Sequence, residues 1–148
     1  MDDKLFYSTD VEWTGARHGN LCAPSLPTLS VDAPPEFKGH EGTWTPEHLF
    51  VGAVNSCFMT TFVAIAENSK LDFQSLRTTA KGTLEKIEGR GMMITEIVLH
   101  PILTIRDSND FARANRILAK AEQHCLIANS AKTHIRMHPE INVVEAAP

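Results

Sequence analysis

The chain has 148 residues, enough for one domain with a buried core, and its 43% hydrophobic and 22% charged content is that of a soluble globular protein. A net charge of -4 argues against nucleic acid or an anionic membrane as the main partner. The start, Met1-Asp2-Asp3-Lys4, lacks the basic and then apolar regions of a signal peptide. Three widely spaced cysteines suit neither CxxC chemistry nor a zinc knuckle, and no permanent disulfide framework is expected in a chain that reads as cytoplasmic.

To about Val31 the chain reads as short strands, with Phe6, Val11 and Trp13 as apolar markers, a turn across residues 15–20 and a strand at 29–31. Pro34-Pro35 and Gly39-His40-Glu41-Gly42 form a loop into a helix that starts at Pro46. Thr45 is its N-cap, Pro46 suits the first helical position, and Glu47 sits where the helix dipole welcomes a negative charge. From Leu49 to Ala66 no residue carries a formal charge. Asn55, Ser56, Thr60 and Thr61 interrupt the run and no basic cluster flanks it, so it reads as a buried core helix and not a membrane span. Its end falls near Asn68-Ser69-Lys70.

A long hairpin follows, 73–87 and 92–106, joined at Gly89-Arg90-Gly91, with Ile97, Leu99, Leu103 and Ile105 on one alternating face. Ser108-Asn109-Asp110 offers the N-cap of a second helix reaching about Ala128, with an apolar stripe of Phe111, Ala114, Leu118, Ala121 and Cys125. A last strand spans 133–144, bent or edged at Pro139. The class is α+β, in a single domain covering 1–148.

Two thiols stand out. Cys57 lies three turns into the apolar helix, beyond the reach of that helix's own N-terminus, so a thiolate there needs an imported cation. Cys125 sits on a buried face beside polar His124 and Asn129-Ser130. Each also reads as core filler, since free cysteine packs as a small hydrophobe. Arg17, in a glycine-flanked turn, and Glu47 are explained singly by solvation and by the helix dipole. Cys22 reads as incidental. His134 and His138 lie roughly 13 Å apart on a strand, too far for one metal ion.

Together these residues resemble the OsmC/Ohr family, the osmotically inducible and organic hydroperoxide resistance proteins. The resemblance rests on Gly15-Ala16-Arg17-His18-Gly19, on Thr45-Pro46-Glu47-His48-Leu49-Phe50, on Cys57 ten residues after the glutamate, and on Cys125 followed by Asn129-Ser130. It implies an intertwined homodimer with long central helices packed between β-sheets and active sites at the subunit interface. It implies a peroxidatic Cys57, a resolving Cys125, an Arg17 that stabilises the thiolate and a Glu47 that orients Arg17 by a salt bridge. No prosthetic group and no metal are expected. The partners are an organic hydroperoxide and an external dithiol reductant, with no nucleic acid and no membrane. The family's peroxidases usually carry proline after the resolving cysteine, where this chain has Leu126.

On this reading Phe50, Val54, Phe58 and Met59 line an apolar substrate pocket. The rival reading keeps the fold and the dimer but makes the protein a small-molecule-binding module without turnover.

Overall fold

The structure is a computed structural model that describes residues 3–144; Met1 and Asp2, the start of the segment read for a leader, lie outside the described residues. The chain divides into two compact units, Met1–Phe50 and Val51–Pro148.

In the first unit β1 (Asp10–Gly15), β2 (His18–Cys22) and β3 (Leu29–Val31) form an antiparallel sheet in that order. The turn expected over 15–20 is shorter, because His18 already pairs with Gly15. Ala16 takes the left-handed conformation (φ 49°) that so tight a reversal requires, and Arg17 follows it at the tip. Phe6, Val11 and Trp13 remain exposed within this chain.

After β3 the chain folds back on a buried carboxylate. Asp32 accepts hydrogen bonds from the backbone N–H of Ala33 (2.7 Å), from that of His40 (3.4 Å) and from the His40 ring (3.1 Å). Gly39 passes so close to Ala33 that a Cβ would stand 1.5 Å from its carbonyl oxygen, so only glycine fits.

Helix α1 (Pro46–Asn68) starts as expected, with the Thr45 hydroxyl accepting from the His48 N–H at 3.0 Å. Val54, Phe58, Phe62 and Ala66, each four residues apart, form its fully buried stripe. The helix is long and apolar enough to cross a membrane by composition, yet that stripe makes it the core helix of the second unit.

It packs there with β4 (Phe73–Ile87) and β5 (Gly91–Ile105), the expected hairpin. Ile97, Leu99, Leu103 and Ile105 are buried, and Pro101 is buried with them. The strand expected over 133–144 is instead two, β6 (His134–Met137) and β7 (Glu140–Val143), both parallel to β5. The break falls at His138-Pro139, where the sequence placed a bend; Met137 pairs with Leu99 and Glu140 with Ile102, so Pro139 stands opposite Pro101 and neither proline has an N–H to donate.

The second helix also departs from expectation. It ends at His124 (α2, Phe111–His124), and a separate turn, α3, runs Leu126–Asn129. Cys125 between them is extended (φ −68°, ψ 106°). Phe111, expected in the buried stripe, is exposed at the first position of α2; the stripe is Ala114, Ile117, Leu118 and Ala121.

Candidate functional site

The break at Cys125 builds the thiol site. An uninterrupted helix would use the N–H groups of residues 126 and 127 internally; the extended residue frees them, and they turn toward α1. Cys57 is half-buried on α1, its Sγ 3.8 Å from the Thr61 hydroxyl. Cys125 is fully buried, its Sγ donating to the Val54 carbonyl at 3.8 Å. Both are free thiols.

Their acidities diverge. Burial pushes the Cys57 thiol up, but hydrogen bonds from the Ile127 N–H, the Cys125 side chain, the Thr61 hydroxyl and the Leu126 N–H outweigh it and hold Cys57 below the ordinary thiol value. Burial pushes Cys125 up, and the neighbouring Cys57 raises it further. The arrangement therefore favours a thiolate on Cys57 facing a protonated Cys125. The imported cation expected for that thiolate is not among these causes; backbone and hydroxyl donors act instead. Residue type alone carried no signal for them, because they depend on a helix break that the apolar periodicity ran straight across.

The other two expected site residues, Arg17 and Glu47, belong to the first unit, where both line a cavity of about 310 Å³ together with Asp32 and Phe37. Glu47 Oε2 is buried there without a hydrogen-bond partner. The expected Arg17–Glu47 salt bridge is not formed: among the described residues the ion pairs involve other groups, and Arg17 lies exposed at its turn. Asp32 was not singled out from the sequence. Burial pushes its carboxyl up, but the His40 ring, the Ala33 and His40 N–H groups and the His40 charge hold it below the ordinary carboxylate value.

Of the expected pocket residues, Val54 and Phe58 are wholly buried in the core, whereas Phe50 and Met59 are exposed. In Val54 and Phe58 the core-filling role is the one the packing shows. Cys22 is half-buried, its Sγ 3.5 Å from the Thr28 hydroxyl. His134 stands opposite Glu96 in the β5–β6 register.

Comparison with known proteins places the chain. An uncharacterized protein of Bacillus subtilis (strain 168), YmaD, is 28% identical over 149 residues, covering 97% of each chain. The solved structure of an OsmC-like protein of unknown function from Vibrio cholerae superposes with a TM-score of 0.84 at 22% identity, covering 92% of this chain and 99% of its own. An organic hydroperoxide resistance protein OsmC from Legionella pneumophila, described as a predicted redox protein, superposes with a TM-score of 0.74 at 24% identity, covering 95% and 100%. The family model described as OsmC-like protein matches residues 39–140, a span that takes in α1, the hairpin, α2 and both site cysteines. The chain belongs to the OsmC-like protein family.

Proposed function

We propose that this protein is a thiol-dependent peroxidase that reduces organic hydroperoxides to alcohols. One observation carries the reading: two free cysteines meet at the α1–α3 seam, with the acidity of Cys57 raised and that of Cys125 lowered. That is the division of labour between an attacking thiolate and a thiol held in reserve.

The Cys57 thiolate attacks the terminal oxygen of the hydroperoxide and breaks the O–O bond. The alkoxide leaves, takes a proton and departs as the alcohol, and Cys57 becomes a sulfenic acid. The Cys125 thiol then condenses with it, forming a Cys57–Cys125 disulfide and releasing water. An external dithiol resets the pair by exchange and is itself oxidised. Arg17 polarises the peroxide and Glu47 orients Arg17, the buried and unpartnered Glu47 oxygen being the acceptor such a guanidinium needs. Exposed Phe50 and Met59 supply apolar surface toward an organic substituent.

The working unit in this proposal is a cytoplasmic homodimer of single-domain chains, with no prosthetic group. The name of the Legionella relative and the coverage of nearly the whole chain by its fold support the reading. The missing proline after Cys125 does not remove the geometry that a proline would impose, because Cys125 is already extended.

The test is turnover of cumene hydroperoxide with a dithiol, followed by mass spectrometry of the non-reduced protein. The expected result is consumption with a Cys57–Cys125 bond, lost in Cys57→Ser and retained in Cys22→Ser. Cys125→Ser should permit one oxidation and leave a trappable sulfenic acid. Full turnover by Cys57→Ser would end the proposal; no turnover by the intact protein would favour the binding-module reading.

A further inference from the structure

Three hydroxyl side chains flank Cys57 on α1: Ser56 just before it, and Thr60 and Thr61 about one turn after it. A hydroxyl inside a helix ordinarily donates to its own backbone, at the carbonyl three or four residues earlier. Ser56 does so, reaching the Ala53 carbonyl at 3.3 Å, and Thr60 reaches the Cys57 carbonyl at 3.1 Å. Thr61 departs from that pattern. Its hydroxyl meets the Cys57 Sγ at 3.8 Å, within hydrogen-bond range of sulfur.

Helix geometry makes this contact. Side chains lean toward the N-terminus of their helix, so residue 61 stands over the turn that carries residue 57. Thr61 is half-buried there, whereas Ser56 and Thr60 are exposed and can turn to water. A polar group at that depth is costly unless paired, and the sulfur is the partner it meets. The other hydroxyls of this stretch are accounted for by the helix backbone; Thr61 is not. It also differs from the backbone donors to Cys57. The Leu126 and Ile127 N–H groups come from α3 and depend on how α3 sits against α1. Thr61 travels with Cys57 on one helix, so its support does not depend on where α3 lies.

We propose that Thr61 is the positioning residue of the attacking thiol: its hydroxyl donates to Cys57 Sγ and holds that sulfur on α1 as an ionised nucleophile. A thiolate carries no hydrogen, so in that state the hydroxyl is the donor, and its hydrogen rotates freely onto the sulfur. A hydrogen bond to a charged acceptor is about twice as strong as a neutral one, so the contact favours the ionised form. This role rests on Cys57 being the attacking thiol.

The test is the pH profile of Cys57 alkylation by iodoacetamide in the folded, reduced, full-length protein, with turnover of cumene hydroperoxide measured alongside. Thr61→Val keeps the branched shape and removes the donor. Below both alkylation midpoints its rate should fall about tenfold, with kcat/KM falling in parallel. At alkaline pH, where Cys57 is ionised in either protein, the two should react alike. Thr61→Ser restores the hydroxyl and should restore the profile. Thr60→Val removes the neighbouring hydroxyl and should leave the profile unchanged, which separates loss of the donor from disturbance of the helix. Circular dichroism checks that each variant folds. An unmoved profile in Thr61→Val would overturn the proposal, as would no rescue by Thr61→Ser or an equal shift in Thr60→Val. Alkylation reads the thiolate without turnover, so this role and the peroxidase reading fail separately. A wild-type Cys57 that alkylates only on unfolding would overturn the thiol chemistry itself, and the role of Thr61 with it.

Discussion

Cys57 and Cys125 come from different elements but meet at one seam, so residue type cannot distinguish them; the distinction comes from burial and from what each thiol does to the other. Both take two backbone N–H groups, but Cys57 also takes the Thr61 hydroxyl and the Cys125 side chain, while Cys125 is more deeply buried and is pushed up further by the neighbouring Cys57. Iodoacetamide should therefore modify Cys57 at a pH well below the free-thiol value of about 8.5, and Cys125 only once the protein unfolds. The sign for stability follows. A depressed acid stabilises the fold above its unfolded pKa, and that contribution is lost as pH falls through the lowered folded value. Mass spectrometry of the alkylated chain against pH measures the order directly, and simultaneous labelling of both thiols would refute it. Asp32 obeys the same sign in the carboxylate range. Its contribution is complete above its ordinary value and disappears as the pH drops through the depressed one. Asp32→Asn should flatten the acid limb of a plot of melting temperature against pH, and an unchanged limb would show that the carboxylate is not held by its three donors.

The elements were legible where periodicity depends on local sequence. The α1 start at Pro46, its end at Asn68 and the boundaries of both hairpin strands agree with the pattern to within one residue. Legibility failed where a distant partner decides. The bend of the 133–144 strand was legible at Pro139, but not that Pro101, more than thirty residues earlier, stands opposite it, so that neither side has a donor there and the strand splits in two. The helix break at Cys125 is likewise hidden in an apolar stripe that continues through it. The break yields a sharp prediction. Leu126 occupies the first position of α3 behind an extended residue, the conformation a following proline demands, so Leu126→Pro should fold normally. It also deletes one N–H donor to Cys57, so the midpoint of Cys57 alkylation should move to higher pH. An unmoved midpoint would remove Leu126 from the thiolate's support. Packing of α1 on the sheet has its own test. Phe62 is fully buried and meets Phe73 edge-on at 5.3 Å between ring centroids, so Phe62→Ala should cost about 3–5 kcal/mol in urea unfolding.

At the scale of the whole molecule, both units expose more apolar surface than a monomer needs. In the first, Phe6 is 85% and Trp13 74% exposed; in the second, α1 buries a single stripe and leaves Met59 outside it. An almost wholly apolar helix with one covered face has others to cover, which is the physical case for the proposed dimer. The sequence made that surplus readable but not its partner, because a chain's own pattern does not say which copy covers it. The proposed site needs Arg17 and Glu47 from one unit and both thiols from the other. If the subunits exchange these contributions, Arg17→Ala and Cys57→Ser homodimers should each be nearly inactive. Unfolding them together and refolding at equal amounts gives mixed dimers in half the population. In every mixed dimer one site pairs an intact Arg17 from one subunit with an intact Cys57 from its partner. The refolded mixture should then recover about a quarter of the wild-type rate. Were each site built within a single chain, no combination would restore both groups to one place, and the mixture would stay as inactive as its parents. Sedimentation of the same mixture supplies the control. A fully active wild-type monomer at assay concentration would rule out the shared site, even with the thiol chemistry of Cys57 intact.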